Sequence, residues 1–231
     1  MPSSRLPSRP SSAPDFLLSR ASGSVRTQGA TRTFTDVNEA AAVLARGEVE
    51  MVVGALPFDK AEAAALTVPA SIIREPGILN PHPYYREGPG AVLHAQVADV
   101  DPSPEEHLRR VAKAVETIRE SNLDKVVLAR AVDIAFDPPV DPRLVAARLI
   151  DLAASGDGFI ADLSPAGREG HFLVGSSPEV LVKRQGARVS SYPLAGSAAR
   201  NFDDPVADTA AGEQLARSAK DLEEHHFVVE H

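Results

Sequence analysis

Apolar and polar positions alternate along this chain in two rhythms, and each change of rhythm marks a new element. DFLLSR (15–20) and SVRTQGATRTF (24–34) have the two-residue alternation of strands and read as a hairpin around Gln28-Gly29. The period then lengthens: Asp36 stands at an N-cap position with Glu39 three residues on, and the helix they open ends at Gly47. EMVVGALPF (50–58) follows as a buried strand.

The clearest helix runs from Pro104 to about Ser121. Ser103 and Glu106 form a capping box, Pro104 takes the first helical position, and Leu108, Val111, Val115 and Ile118 make one apolar stripe that should cover a sheet. After it come the apolar run KVVLARAVDIAF (125–136), a second helix opened by Asp141-Pro142 through RLVAARLIDLA, and strands at FIADL, HFLVGSS, EVLVKRQ and ARVSSYPLA. Gly, Asp and Pro between the runs favour hairpins, so the expected class is α+β, mostly antiparallel sheets flanked by helices.

Composition narrows the picture. A chain of 231 residues, 43% hydrophobic and 24% charged, is long enough to bury a core. The net charge of -8, with no basic run, argues against nucleic acid, and no stretch has the apolar length that spans a bilayer. The absence of cysteine excludes disulfides and thiolate chemistry and fits a reducing, cytoplasmic compartment. Residues 1–14, with four prolines and five serines, read as a disordered tail, leaving 15–231 as one domain. GREG (167–170) and GDG (156–158) lack the strand and helix context of phosphate loops, which disfavours nucleotide binding.

Several polar positions carry candidate chemistry, each with a plainer alternative. Lys125 opens an apolar run: it is either the solvated end of a strand or a desolvated amine able to act as a base. Glu179 follows a Gly-Ser-Ser-Pro turn, either as an ordinary turn carboxylate or as an acid with a raised pKa. In PLAGSAAR (193–200), Gly196 permits close backbone approach, and the amides around Gly196 and Ser197 form either a plain turn or a nest for a carboxylate.

Taken in order, KVVLAR, GSSPEVL, PLAGSAAR and SAKDLEEH resemble the chorismate-utilising enzymes and, among them, isochorismate synthases; VVGALPFD (52–59) resembles an earlier strand of the same enzymes. The resemblance covers roughly residues 50–231. It implies a chorismate-binding fold and an Mg²⁺-dependent addition of water at C2 of chorismate with loss of the C4 hydroxyl, serving menaquinone or siderophore synthesis. It also implies Lys125 as general base and Glu179 as general acid. Ala195 stands where aminodeoxychorismate synthases carry a lysine, so Lys125 with Ala195 points to the water-using branch, which still includes salicylate synthases. The implied partner is the small molecule chorismate, with no nucleic acid or membrane, and a monomer is expected for a full-length enzyme.

The closing stretch DLEEHHFVVEH (221–231) reads as part of a helix from about Gly212, with Asp221, Glu224, His225 and Val228 along one face. By resemblance Glu224 is an Mg²⁺ ligand and Asp221 a supporting acid; the plainer alternative is a solvated face with Lys220 paired to Glu224. A zinc site on His225 and His226 is disfavoured, because adjacent helical residues point about 100° apart. The familiar enzymes continue beyond this helix with further metal and substrate ligands. The expected fold is therefore incomplete at its C-terminus, and a truncated, inactive family member is a second reading.

Overall fold

The computed structural model describes residues 10–86 and 91–229, and the chain divides into two compact units, residues 1–98 with 133–178 and residues 99–132 with 179–231. The single domain expected over 15–231 is thus two units. Where the chain contacts itself closely, it does so as paired antiparallel strands with helices beside them, the α+β class read from the sequence.

The first unit is built on six strands: β1 (Phe16–Arg20), β2 (Gly23–Phe34), β3 (Val53–Ala55), β4 (Ala65–Glu75), β7 (Gly158–Asp162) and β8 (Phe172–Gly175), numbered in chain order. They form one antiparallel sheet in the order β3-β4-β2-β1-β7-β8. The hairpin turns at Ala21-Ser22, between Arg20 and Gly23, and not at Gln28-Gly29 as expected. Gln28 and Gly29 lie inside a twelve-residue β2, where Gly29 takes a φ of 69° just before the pairing with β4 shifts register between Ala30 and Arg32. An irregular strand needs the same permissive residues as a turn.

Two helices cover this sheet. α1 (Val37–Ala45) starts at Asp36, whose carboxylate accepts from the amides of Asn38 and Glu39, and Gly47 beyond its end has a φ of 70°. Its Ala40 and Val43 pack with Phe34, Leu66 and Val68. α3 (Pro142–Leu152) is capped by Asp141 and places Ala146 and Ile150 against Leu17 and Ile160. Fully buried Ser19 donates to the Gly156 carbonyl at 2.7 Å and accepts from the Leu79 amide at 3.0 Å, so the polar atom in this core is satisfied. EMVVGALPF yields only the short β3: Val53 is buried, but Leu56 and Phe58 are exposed.

Residues 1–9 lie outside the described residues. Residues 10–14 are not a loose tail: Ala13 is buried, Gln28 donates to the Ser11 carbonyl and Arg143 to that of Pro14.

The second unit contains α2 (Pro104–Glu120), β9 (Val180–Gln185), β10 (Arg188–Tyr192), α4 (Pro205–Ala216) and α5 (Ala219–Val229). A two-stranded ribbon of β5 (Ala95–Asp101) and β6 (Ala131–Phe136) carries the chain between the units. α2 forms as expected, with the Ser103 hydroxyl accepting from the Glu106 amide at 3.2 Å; Glu106 turns its carboxylate to Arg109 and Arg110. Its stripe does not cover a sheet among the described residues: Leu108 is 69% exposed. Among the described residues of this unit only Pro102 is buried. Nor does KVVLAR form a strand; β6 begins at Ala131, and Val127 before it is exposed. Apolar patterning states which face seeks burial, while burial itself needs a neighbouring element. No helix among the described residues is long and apolar enough to cross a membrane.

Because Ile160 is fully buried between α3 and the sheet, Ile160→Ala is expected to destabilise the first unit by about 2–5 kcal/mol. Urea unfolding followed by far-UV circular dichroism checks this.

Candidate functional site

The four ordered motifs supply segments to the second unit. β9 and β10 pair from Gln185-Arg188 at the hairpin end to Val180-Tyr192, which sets Glu179 beside the start of the 193–200 loop. There the Leu194 amide donates to the Glu179 carboxylate at 3.1 Å. The far end of the loop is fixed by Arg200, whose guanidinium holds the Asp208 carboxylate of α4 at 2.8 Å. The Asn201 amide donates to the same carboxylate, which is held below the usual range chiefly by the Arg200 hydrogen bond. Between these anchors Gly196 has a φ of 78°.

That glycine is where the loop meets the terminal helix. A Cβ added at Gly196 falls 2.8 Å from Asp221 Cβ and 3.0 Å from its Oδ1. Two constraints coincide: the left-handed backbone and the absence of room both require glycine. The close backbone approach expected from PLAGSAAR is therefore observed, with Asp221 as what approaches.

The expected single helix from Gly212 is two helices. α4 ends at Ala216, Arg217 and Ser218 interrupt, and α5 restarts with Ser218 Oγ accepting from the Asp221 amide at 3.4 Å. A serine at that position competes for backbone hydrogen bonds and favours a helix start over a helix interior. On α5, Asp221 and Glu224 share a face, and three cationic contacts gather there. Lys220 Nζ lies 3.2 Å from Asp221 Oδ1 and 2.9 Å from Glu224 Oε2, while Lys125 Nζ lies 3.6 Å from Glu224 Oε1.

The charges shift one another in consistent directions. The Lys220 hydrogen bond and charge hold the Glu224 carboxyl below its ordinary range, with Lys125 adding to the effect. Hydrogen bonds from Ser218 and Lys220 do the same for Asp221, and the two carboxylates raise the Lys220 ammonium.

The structure thus brings Lys125, Gly196, Asp221 and Glu224 together. Glu179 is exposed and engages the loop, Ser197 is exposed, and Ala195 lines an open cleft with Leu194, Leu215, Asp221, Leu222 and His225. Lys125 does not open a strand; it holds its place by pairing with α5, half-buried within an irregular stretch. Two further participants stand here, Lys220, whose pairing with Glu224 is the one the solvated-face reading expected, and His225. Lys220 bridges both acids, legible only as an i,i+4 spacing to Glu224, and the half-buried His225 has an Nδ1 without a hydrogen-bond partner in the cleft.

Two carboxylates converging on one positive charge are a donor set that suits a hard cation. Mg²⁺ characteristically uses one or two carboxylates and completes its six oxygens with water and substrate. Among the described residues no three His, Asp or Glu side chains stand close enough to hold a metal together; Asp221 and Glu224 are the two carboxylates that could offer it oxygens here.

Comparison with known proteins adds to this geometry. The chorismate binding enzyme family matches residues 84–231. MenF of Mycobacterium tuberculosis is 38% identical over 221 residues, covering 94% of this chain and 58% of that protein. The isochorismate synthase DhbC of Bacillus subtilis is 34% identical over 182 residues, covering 78% and 45%. Among solved structures, the menaquinone-specific isochorismate synthase MenF of Escherichia coli superposes with a TM-score of 0.76 at 25% identity, over 95% of this chain and 56% of that one. The chain therefore spans about half the length of the proteins it matches.

Two outcomes follow. Gly196→Ala is expected to destabilise the second unit by about 1–3 kcal/mol through backbone strain and the clash with Asp221, read by thermal unfolding. Glu224 should titrate below an ordinary glutamate and move back up in Lys220→Ala, by carboxyl NMR. The sign follows from the depression: the lysine–carboxylate contacts are present above the unfolded pKa and disappear as pH falls through the folded one.

Proposed function

The chain belongs to the chorismate-binding enzyme family, and we propose that it carries the isochorismate synthase reaction, in which water adds at C2 of chorismate and the C4 hydroxyl leaves. The observation that carries the reading is the meeting of the KVVLAR, PLAGSAAR and SAKDLEEH segments in one unit, at the Lys125–Glu224 and Gly196–Asp221 contacts. Glu179, from the fourth motif, contacts the same 193–200 loop.

Each residue then has a chemical task. Water is a weak nucleophile and hydroxide a poor leaving group, so the reaction needs a base and an acid acting at different ring carbons. Lys125, in its neutral form, takes a proton from the attacking water as the C2–O bond forms. Both ring double bonds shift, C1=C2 to C1=C6 and C5=C6 to C4=C5, as the C4–O bond breaks, and Glu179, in its protonated form, gives its proton to the departing hydroxyl, which leaves as water. Atoms balance, since one water enters and one leaves. Both protonation states are favoured by removal from bulk water. Lys125 is 31% exposed and Glu179 is exposed, so substrate must cover this face for the pair to work.

Glu224 and Asp221 would hold Mg²⁺, which when bound would supply positive charge for the ring carboxylate. The close approach of Gly196 to Asp221 sets where Asp221 stands beside the 193–200 loop. The amides around Gly196 and Ser197 offer the substrate's second carboxylate a nest of donors. The product is suited to menaquinone or siderophore synthesis, and the lack of cysteine fits a cytoplasmic setting.

The test incubates the purified 231-residue chain with chorismate and Mg²⁺ and separates isochorismate, salicylate and pyruvate by chromatography. Isochorismate formation that falls about 10²–10⁴-fold in Lys125→Ala and in Glu179→Gln supports the assignment. The glutamine can still accept from the Leu194 amide, so loss there reads on the proton and not on the loop. Undiminished turnover in either variant removes that residue from its role, and salicylate with pyruvate as the products reassigns the reaction.

A further inference from the structure

Lys220 sits where a cation bound by Asp221 and Glu224 belongs. Its Nζ is within 3.2 Å of one carboxylate and 2.9 Å of the other, and no other lysine or arginine contacts both among the described residues. Its side chain is 77% exposed, so the ammonium reaches the acids from the solvent side and can swing back without disturbing packing. Lys125, by contrast, is 31% exposed and meets Glu224 alone, through the other carboxylate oxygen.

We propose that Lys220 is an internal competitor for the divalent-cation position, holding Asp221 and Glu224 in a converged, metal-ready arrangement and being displaced when Mg²⁺ binds. This rests on the reading of Asp221 and Glu224 as the metal-binding pair. Mg²⁺ requires oxygens at about 2.0–2.1 Å, so it takes the lone pairs that Lys220 now uses and repels its charge. Without Lys220 the two acids, three residues apart on one helix, repel each other. Exposed lysine–carboxylate pairs are individually weak, so displacement is cheap and the competition moderate. Lys220 therefore tunes metal affinity in both directions: it lowers affinity by occupying the position and limits the loss by keeping the carboxylates together. The first effect dominates, because a mobile exposed chain contributes little order.

The experiment is isothermal titration calorimetry of Mg²⁺ alone into the 231-residue chain, with no substrate and no activity readout. The variants are Lys220→Met, Lys220→Arg and Glu224→Gln, each checked for native circular dichroism. Lys220→Met is expected to bind Mg²⁺ about 3–10-fold more tightly, a range set by the strength of two exposed ion pairs. Lys220→Arg, which keeps the competing charge, is expected to stay within about twofold of wild type, and Glu224→Gln to lose binding. Binding lost in Glu224→Gln but unchanged or weakened in Lys220→Met overturns the competitor role and leaves the metal pair standing. Equal binding in Glu224→Gln and wild type, or no binding in any protein, overturns the metal pair itself and the competitor role with it.

Discussion

The 193–200 loop and the terminal helix of the second unit meet at one contact, the backbone of Gly196 against the side chain of Asp221. A left-handed φ of 78° turns the loop toward α5, and the missing Cβ leaves the few ångströms Asp221 needs. From that contact the rest follows by helical geometry: Glu224 is one turn along the same face, and Lys220 and Lys125 gather on it. Glu179 and Arg200 clamp the two ends of the loop, so its middle can press on α5 without being carried by a core.

The two units use different physics. The first is held by ordinary burial, with α1 and α3 on a six-stranded sheet and the Ser19 hydroxyl satisfied on both sides. The second, among the described residues, buries almost nothing and is organised by hydrogen bonds, ion pairs and one steric constraint. Pairs exposed to solvent contribute little to stability.

The disposition of charge gives the site its character. A chain of net charge -8 repels anions at long range, yet two lysines meet two acids within one short stretch of helix and loop. The mutual pairing lowers both carboxyls, so they remain charged over a wider range of pH than isolated acids would.

What the sequence determined by itself was local. Asp36, Ser103 and Asp141 each cap a helix because a short acceptor satisfies amides within three residues, and that needs no distant partner. The candidate groups were legible too, because ordered motifs with Lys125, Glu179, Gly196 and Glu224 resembled one family. Other features required tertiary structure. Gln28-Gly29 looked like a turn, but pairing with β4 along its length drew it into a strand. KVVLAR and the stripe of α2 looked buried, yet burial is a property of a neighbour and not of a residue. That Gly196 is shaped by Asp221, and that Lys125 meets Glu224, depends on segments remote along the chain coming together, a fact no spacing along the chain contains.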